Sequence, residues 1–330
     1  MRFGIQIRPN KSPDDFVSHV KLAEEQGFDY AWIADVGLHR EVFIMTALAS
    51  QATTRIKIGP GVTNPYTRHP AILAAEAATL QEISHGRTFL GLGTGGYSAL
   101  QQLGVPTWDR PAITLREAVT LCRQLLHGQA VTNRGTVFET RNARIDFAVS
   151  PPVPIYLGVM LGKVGLRLAG ELCDGALTVG PLGKTHTKLV VDKIRQAADE
   201  AHRRPEDLEI AMATPFAVSE DGAEAIEMAK QAIAELAILD PRLRPALVAE
   251  GVTDEEILRV QNSAGRGDVS QAVTDKMVEL FGIAGTPSYC IKKIAELQKT
   301  GITQVAVGRP ARESKEMMRM IGREIIPRLR

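Results

Sequence analysis

Short apolar runs alternate along the chain with segments whose apolar residues recur at helical spacing, the pattern of repeated βα units on a parallel sheet. Eight strands are predicted, over residues 2–8, 30–35, 56–61, 88–93, 155–159, 176–179, 208–218 and 302–307. Ser12-Pro13-Asp14-Asp15 opens the first helix with an N-cap, a proline at the first helical position and an acidic first turn, and Gly27 ends it. Further helices are predicted over 41–53, 69–84, 113–126, up to Cys173, and over 184–202, 222–239, 288–299 and 312–330. The helical pattern fails over 128–152, where TNRGTVFET and RIDFAVSPPVP predict a hairpin with extended flanks, and residues 240–275 are irregular and charged, with helical patches. No linker-like stretch interrupts the repeat. The expected fold is therefore α/β, a TIM-like (β/α)8 barrel, as one domain over 1–330 with insertions near 128–152 and 240–275.

Composition narrows the partners. The 330 residues are 44 % hydrophobic and 23 % charged, which excludes disordered, collagen-like and disulfide-scaffold classes. With 39 basic against 38 acidic side chains the net charge is +1, which argues against nucleic acid or a membrane surface as partner. Cys122, Cys173 and Cys290 are far apart in apolar contexts and are read as reduced core residues. No apolar run approaches the roughly 18 residues of a spanning helix, and MRFGIQIRPN lacks the apolar stretch of a signal peptide. A cytoplasmic protein is expected.

In such a barrel, chemistry sits on the loops at the carboxyl ends of the strands. One of these is Gly91-Leu92-Gly93-Thr94-Gly95-Gly96, a G-x-G-x-x-G spacing without the later strand-end acid of a dinucleotide fingerprint. It is read as a loop that lets a planar ring approach the backbone, against a plain tight turn. Gly158-Val159-Met160-Leu161-Gly162-Lys163 precedes a helix, so free N–H groups and the lysine make a candidate anion site, with 178–184 as its neighbouring half. GPGVTNPYTRHP, over 59–70, forces an irregular backbone directly after a strand, as a pocket-shaping loop does. Within it Arg68 and His69 either hold an anionic substrate or anchor the loop. Asp35 is the best strand-end carboxylate, its alternative being a rim salt bridge. The seven histidines show no zinc spacing and there is no G-x-S-x-G elbow, so neither a metal nor a serine nucleophile is expected.

GPGVTNPYTRHP, GLGTGG, YAWIAD, FGIAGTP and GITQVAVG together resemble the luciferase-like flavin and deazaflavin oxidoreductases, and within them the F420-dependent methylenetetrahydromethanopterin reductases. The resemblance runs from Phe3 to the last helix, NPYTRHP being its most specific piece. It implies a TIM-like barrel, coenzyme F420 as cofactor with FMN as the alternative, and a homodimer. It also implies a non-prolyl cis peptide at Gly61-Val62 as a bulge behind the ring. Thr63, Asn64 and Thr94 would then bond the ring's polar atoms, beside Gly93, Gly95 and Gly96. The tail phosphate would lie at 158–163 with Val179 and Gly180, and Gln6 and Asp35 would contact the substrate or the ring edge. Three positions depart from the reductases: Gln6 stands for a glutamate, Gly96 for an acidic residue, and Asp35-Val36 for Asp-His. An amide neither gives up nor takes a proton at neutral pH, so Gln6 orients but is no acid. The implied activity is hydride transfer between F420 and a one-carbon carrier of the methylenetetrahydromethanopterin or tetrahydrofolate type. An FMN-dependent monooxygenase and a non-catalytic flavin- or deazaflavin-binding relative are the alternatives.

Overall fold

The computed structural model describes residues 1–105, 110–160, 162–239, 244–263, 269–308 and 315–330. Its strands are β1 (Arg2–Ile7), β2 (Tyr30–Ile33), β3 (Lys57–Pro60), β4 (Leu90–Leu92), β5 (Val131–Arg134), β6 (Glu139–Ala143), β7 (Ile155–Val159), β8 (Gly175–Thr178), β9 (Glu209–Val218), β10 (Ile283–Gly285) and β11 (Gln304–Gly308). Eight of them pair in parallel in the order β3-β2-β1-β11-β9-β8-β7-β4. Parallel bridges Ile58–Thr88 and Thr63–Leu92 bring β3 back to β4, so the sheet is nearly closed into a barrel within a shell of helices.

The period of two along each strand sorts side chains between two cores. On β1, Phe3, Ile5 and Ile7 join the large outer cluster under the helices, while Gly4 backs onto the Trp32 indole inside the barrel. The inside is an aromatic column of Tyr30, Trp32, Phe89 and Tyr156, with Trp32 and Phe89 centroids 4.4 Å apart and Trp32 and Tyr156 edge-on at 5.2 Å. Trp32 Nε1 donates to Gln304 Oε1 at 2.8 Å. Below, the buried Glu209 carboxylate accepts from Arg2, Tyr30 Oη and Tyr156 Oη, and closes the column at the amino ends. The free thiols Cys122, Cys173 and Cys290 are buried in the outer cluster.

Carboxylates tie down loops at several points. Glu24 accepts backbone N–H groups from Thr54, Arg55 and Ile56 at 3.0, 2.6 and 2.8 Å. Glu117 does the same for Thr136, Val137 and Phe138 in the turn of the antiparallel β5–β6 hairpin, which occupies the stretch predicted at 128–152.

Two elements differ from the sequence reading. β9 outruns its barrel neighbours, and its end, Phe216–Val218, pairs with β10, a three-residue strand too short to carry a periodic signal. The stretch expected to be irregular with helical patches over 240–275 is more regular than that: it contains the helices Arg244–Ala249 and Asp254–Ser263, followed by Asp275–Phe281. With Gly222–Leu239 they make a second apolar cluster through Ala225, Ile233, Ile257, Met277 and Phe281. Asp254–Ser263 buries only Ile257 and Val260, so its sequence looks charged rather than helical.

Candidate functional site

Parallel strands put all their carboxyl ends at one mouth, where most of the sequence-predicted residues meet. Beyond β3 the Gly61-Val62 peptide is cis. A Cβ at Gly61 would lie 2.6 Å from Trp32 Cβ, so the aromatic column supports the bulge from below. Val62 points across the barrel: Cβ atoms built at Gly93 and Gly158 would stand 2.7 Å and 3.0 Å from its methyls, and one at Gly91 3.2 Å. The room left at 93 and 158 is taken by Val62, and the half-buried valine forms the apolar floor of the mouth.

The loop behind this floor is held by its own polar groups. Thr63 exchanges backbone hydrogen bonds with Gly91 and Gly93 at 2.9 and 2.8 Å, and its hydroxyl donates to Asp35 Oδ2 at 2.7 Å. Asn64 is buried, and its Oδ1 accepts from Tyr66 N, Thr67 N and Thr67 Oγ1, so that oxygen belongs to the loop and not to a ligand. Gly95, at φ 71°, packs against Asn64. Thr94 is half-buried, and Gly96 begins the short helix Tyr97–Gln102. Gln6 comes from the end of β1 and is half-buried against Gly308 of β11, where a Cβ would collide with its Oε1.

Arg68 does not offer its charge to an anion. Its guanidinium, 20 % exposed, donates to Asp35 Oδ2 at 2.9 Å and to Glu41 Oε1 at 2.5 Å, lies 3.7 Å from Glu76 Oε1, and sits over the Phe43 ring. The substrate-holding alternative for Arg68 gives way to loop anchoring, because three carboxylates already claim it. His69 likewise anchors: its Nδ1 caps the helix Pro70–Ile83 through Ala71 N at 3.2 Å, and its ring meets Phe138 of the hairpin edge-on. Glu41 and Glu76 escaped the sequence reading. Glu41 caps the helix Val42–Gln51, and Glu76 is the one charged residue in the run PAILAAEAATLQ, a signal in an otherwise apolar helix face. Burial, then Glu41 and Asp35, push Glu76 up to about 7 against the opposing pull of Arg68.

On the far side of the mouth the helix Lys163–Leu172 follows β7 and the helix Lys184–Glu200 follows β8. Gly162 and Gly183 are their N-caps, and neither start has a side-chain cap; the space at Gly162 is open, whereas the Glu250 carboxylate stands beside Gly183, its Oε1 3.0 Å from where a Cβ would lie. Met160 and Val179 pack against the second apolar cluster, Val179 N donates to Val159 O, and Gly180 is buried beside them. Leu161 lies outside the described residues. Among the described residues no group of three histidine, cysteine or carboxylate side chains is placed to hold a metal. A cavity of about 970 Å³ opens at the other end of the barrel, but it is lined by paired charges, Arg2 with Glu209 and Arg123 with Asp174, at the amino ends of the strands. The Glu209 closure and the aromatic column separate it from the mouth.

Comparison with known proteins places these features in context. The profile of the luciferase-like monooxygenase family matches residues 1–304. The 5,10-methylenetetrahydromethanopterin reductase of Methanopyrus kandleri is 35 % identical, over 98 % of this chain and 97 % of its own length. The reductase of the same name from Archaeoglobus fulgidus is also 35 % identical, over the whole of both chains. The solved structure of the coenzyme F420-dependent tetrahydromethanopterin reductase of Methanopyrus kandleri superposes with a TM-score of 0.93 at 33 % identity, covering 100 % of this chain and 99 % of that one.

Proposed function

The chain belongs to the luciferase-like monooxygenase family, and from that premise we propose that it is a coenzyme F420-dependent oxidoreductase. It would move hydride between the deazaflavin and a one-carbon carrier of the methylenetetrahydromethanopterin or tetrahydrofolate type. The observation that carries this reading is the end-to-end match, at 35 % identity, to reductases of that carrier.

The residues at the mouth fit such a coenzyme. Val62, seated among glycines, supplies an apolar floor for a flat ring, with Gly93 to Gly96 as its edge. The uncapped helix start at Gly162, with Lys163, supplies N–H groups and charge for a phosphate-bearing tail, along a wall of Gly158, Val159, Met160, Val179 and Gly180. When bound, F420 supplies the carbon that carries the hydride. The protein supplies position and a dry wall. Gln6 orients the substrate through its amide, and Asp35, fixed by Thr63 and Arg68, is a stationary acceptor at the rim.

We extend the proposal to a single barrel domain over 1–330, with insertions near 128–152 and 240–275, acting in the cytoplasm as a homodimer. Among the described residues no helix is long and apolar enough to cross a membrane. Ile44 and Ile72, on the neighbouring helices Val42–Gln51 and Pro70–Ile83, are 62 % and 55 % exposed, an apolar face suited to a second copy.

Titrating the purified protein with F420 and with FMN, then adding methylene carriers, tests the reading, and sedimentation of the same sample should give twice the chain mass. F420 binding with carrier-dependent change in its absorbance is expected. Tight FMN binding without F420 binding would replace the proposal with a flavin monooxygenase, and binding of neither would end the enzymatic reading. F420 binding with no carrier turnover would keep the coenzyme and change the substrate.

A further inference from the structure

Resting on the reading of this mouth as the site, we propose that Glu76 is a positioning residue: by taking up and releasing a proton it decides how the Arg68 guanidinium is shared, and so how firmly Asp35 is held. Three carboxylates from three parts of the chain face one cation. Asp35 ends the β2 unit, Glu41 begins the helix Val42–Gln51, and Glu76 lies within the helix Pro70–Ile83. With all three ionised, two negative charges would be left uncompensated behind the mouth. Such a cluster relieves itself by keeping a proton on the member that loses least.

The contacts identify that member. Asp35 accepts from both Thr63 and Arg68, and Glu41 accepts from Arg68 while its second oxygen caps Ile44 N at 2.7 Å. Glu76 has only the Arg68 Nε approach at 3.7 Å, too long for a hydrogen bond, and its Oε2 is buried with no partner. An ionised carboxylate with an unsatisfied buried oxygen is the costliest of the three to maintain. The charges acting on Glu76 are Arg68, Glu41 and Asp35. On the helix Pro111–Leu126, which also packs here, Arg116, Glu117 and Arg123 are committed to Glu171, the hairpin turn and Asp174. The titration, with its midpoint pushed up to about 7, therefore falls where a modest change in pH redistributes the guanidinium. With Glu76 neutral, Arg68 belongs to Asp35 and Glu41. With Glu76 ionised, the rigid planar fork is drawn by its Nε edge toward the Glu76 carboxylate, and Asp35 loses part of its partner.

Carbon-13 NMR of the ligand-free protein, labelled at its aspartate and glutamate carboxyls, tests this without any coenzyme. The Glu76 resonance should titrate with a midpoint near 7, and the Asp35 resonance should show an inflection at the same pH. Glu76→Gln should remove that inflection, and Glu41→Gln should shift the Glu76 midpoint downward. In the F420-loaded enzyme, Glu76→Gln should flatten the change of kcat/KM with pH around neutrality. A Glu76 that titrates in the ordinary carboxylate range, or an Asp35 resonance indifferent to Glu76→Gln, overturns the inference. Because the spectra need no ligand, they can stand while the coenzyme assignment falls, and the reverse.

Discussion

Val62 and the glycines around it form a unit whose parts are fixed by contact distance. Gly93→Ala places a methyl 2.7 Å from Val62 Cγ2, so the valine or the backbone must shift to make room. Overpacking of this kind costs about 1–3 kcal/mol, which equilibrium denaturation should read as a lower midpoint at unchanged slope. Combining it with Val62→Ala should recover part of the loss. Strict additivity of the two substitutions would mean that the two residues are not in the contact described. The glycines were visible in the sequence as a strand-end motif, but their purpose was not, because Val62 reaches them only across the barrel. The same holds for Arg68. Its place in NPYTRHP was legible, whereas its partners Asp35, Glu41 and Glu76 are brought together by three separate βα units.

Elements are secured at their ends more than along their length. Glu24, in the last turn of the helix Pro13–Glu25, gathers the N–H groups of residues 54–56 and sets the entry into β3. Burial raises its carboxyl, but the bonds from Ile56, Arg55 and Thr54 together outweigh that and hold it below the usual carboxylate range. A depressed folded-state pKa contributes stability that is complete above the unfolded value and disappears as the pH falls through the folded one. Glu24→Gln should therefore lower the unfolding temperature by a few degrees at neutral pH, with the gap to the parent protein closing in acid. A constant gap across a pH series of thermal melts would mean that charge has no part in this anchor. The eight barrel strands and most of their helices were legible because each carries a full period or a cap such as Ser12. β10 and the bounds of the helices around 254–281 were not, since their order comes from the second apolar cluster and the projecting end of β9.

At the scale of the molecule, one end of the barrel is sealed by Glu209 and the tyrosines, and the other carries the mouth, with two cores between the axis and the solvent. The sequence could announce eight βα units, but not the direction in which an interior glutamate and four aromatic rings would stack, which depends on register between distant strands. The outer core also holds the three thiols, on the helices Pro111–Leu126 and Pro287–Lys299 and at the entry to β8. Burial raises all of them, Cys173 and Cys290 to about 12, so the reactive thiolate is scarce as well as hidden. The native protein should therefore be silent toward a chromogenic disulfide reagent, and in denaturant it should release three equivalents. Any slow reaction under native conditions then times the opening of the shell, sorted by the peptide that carries the label. The chain thus contains its own clock for how often each side of the barrel breathes.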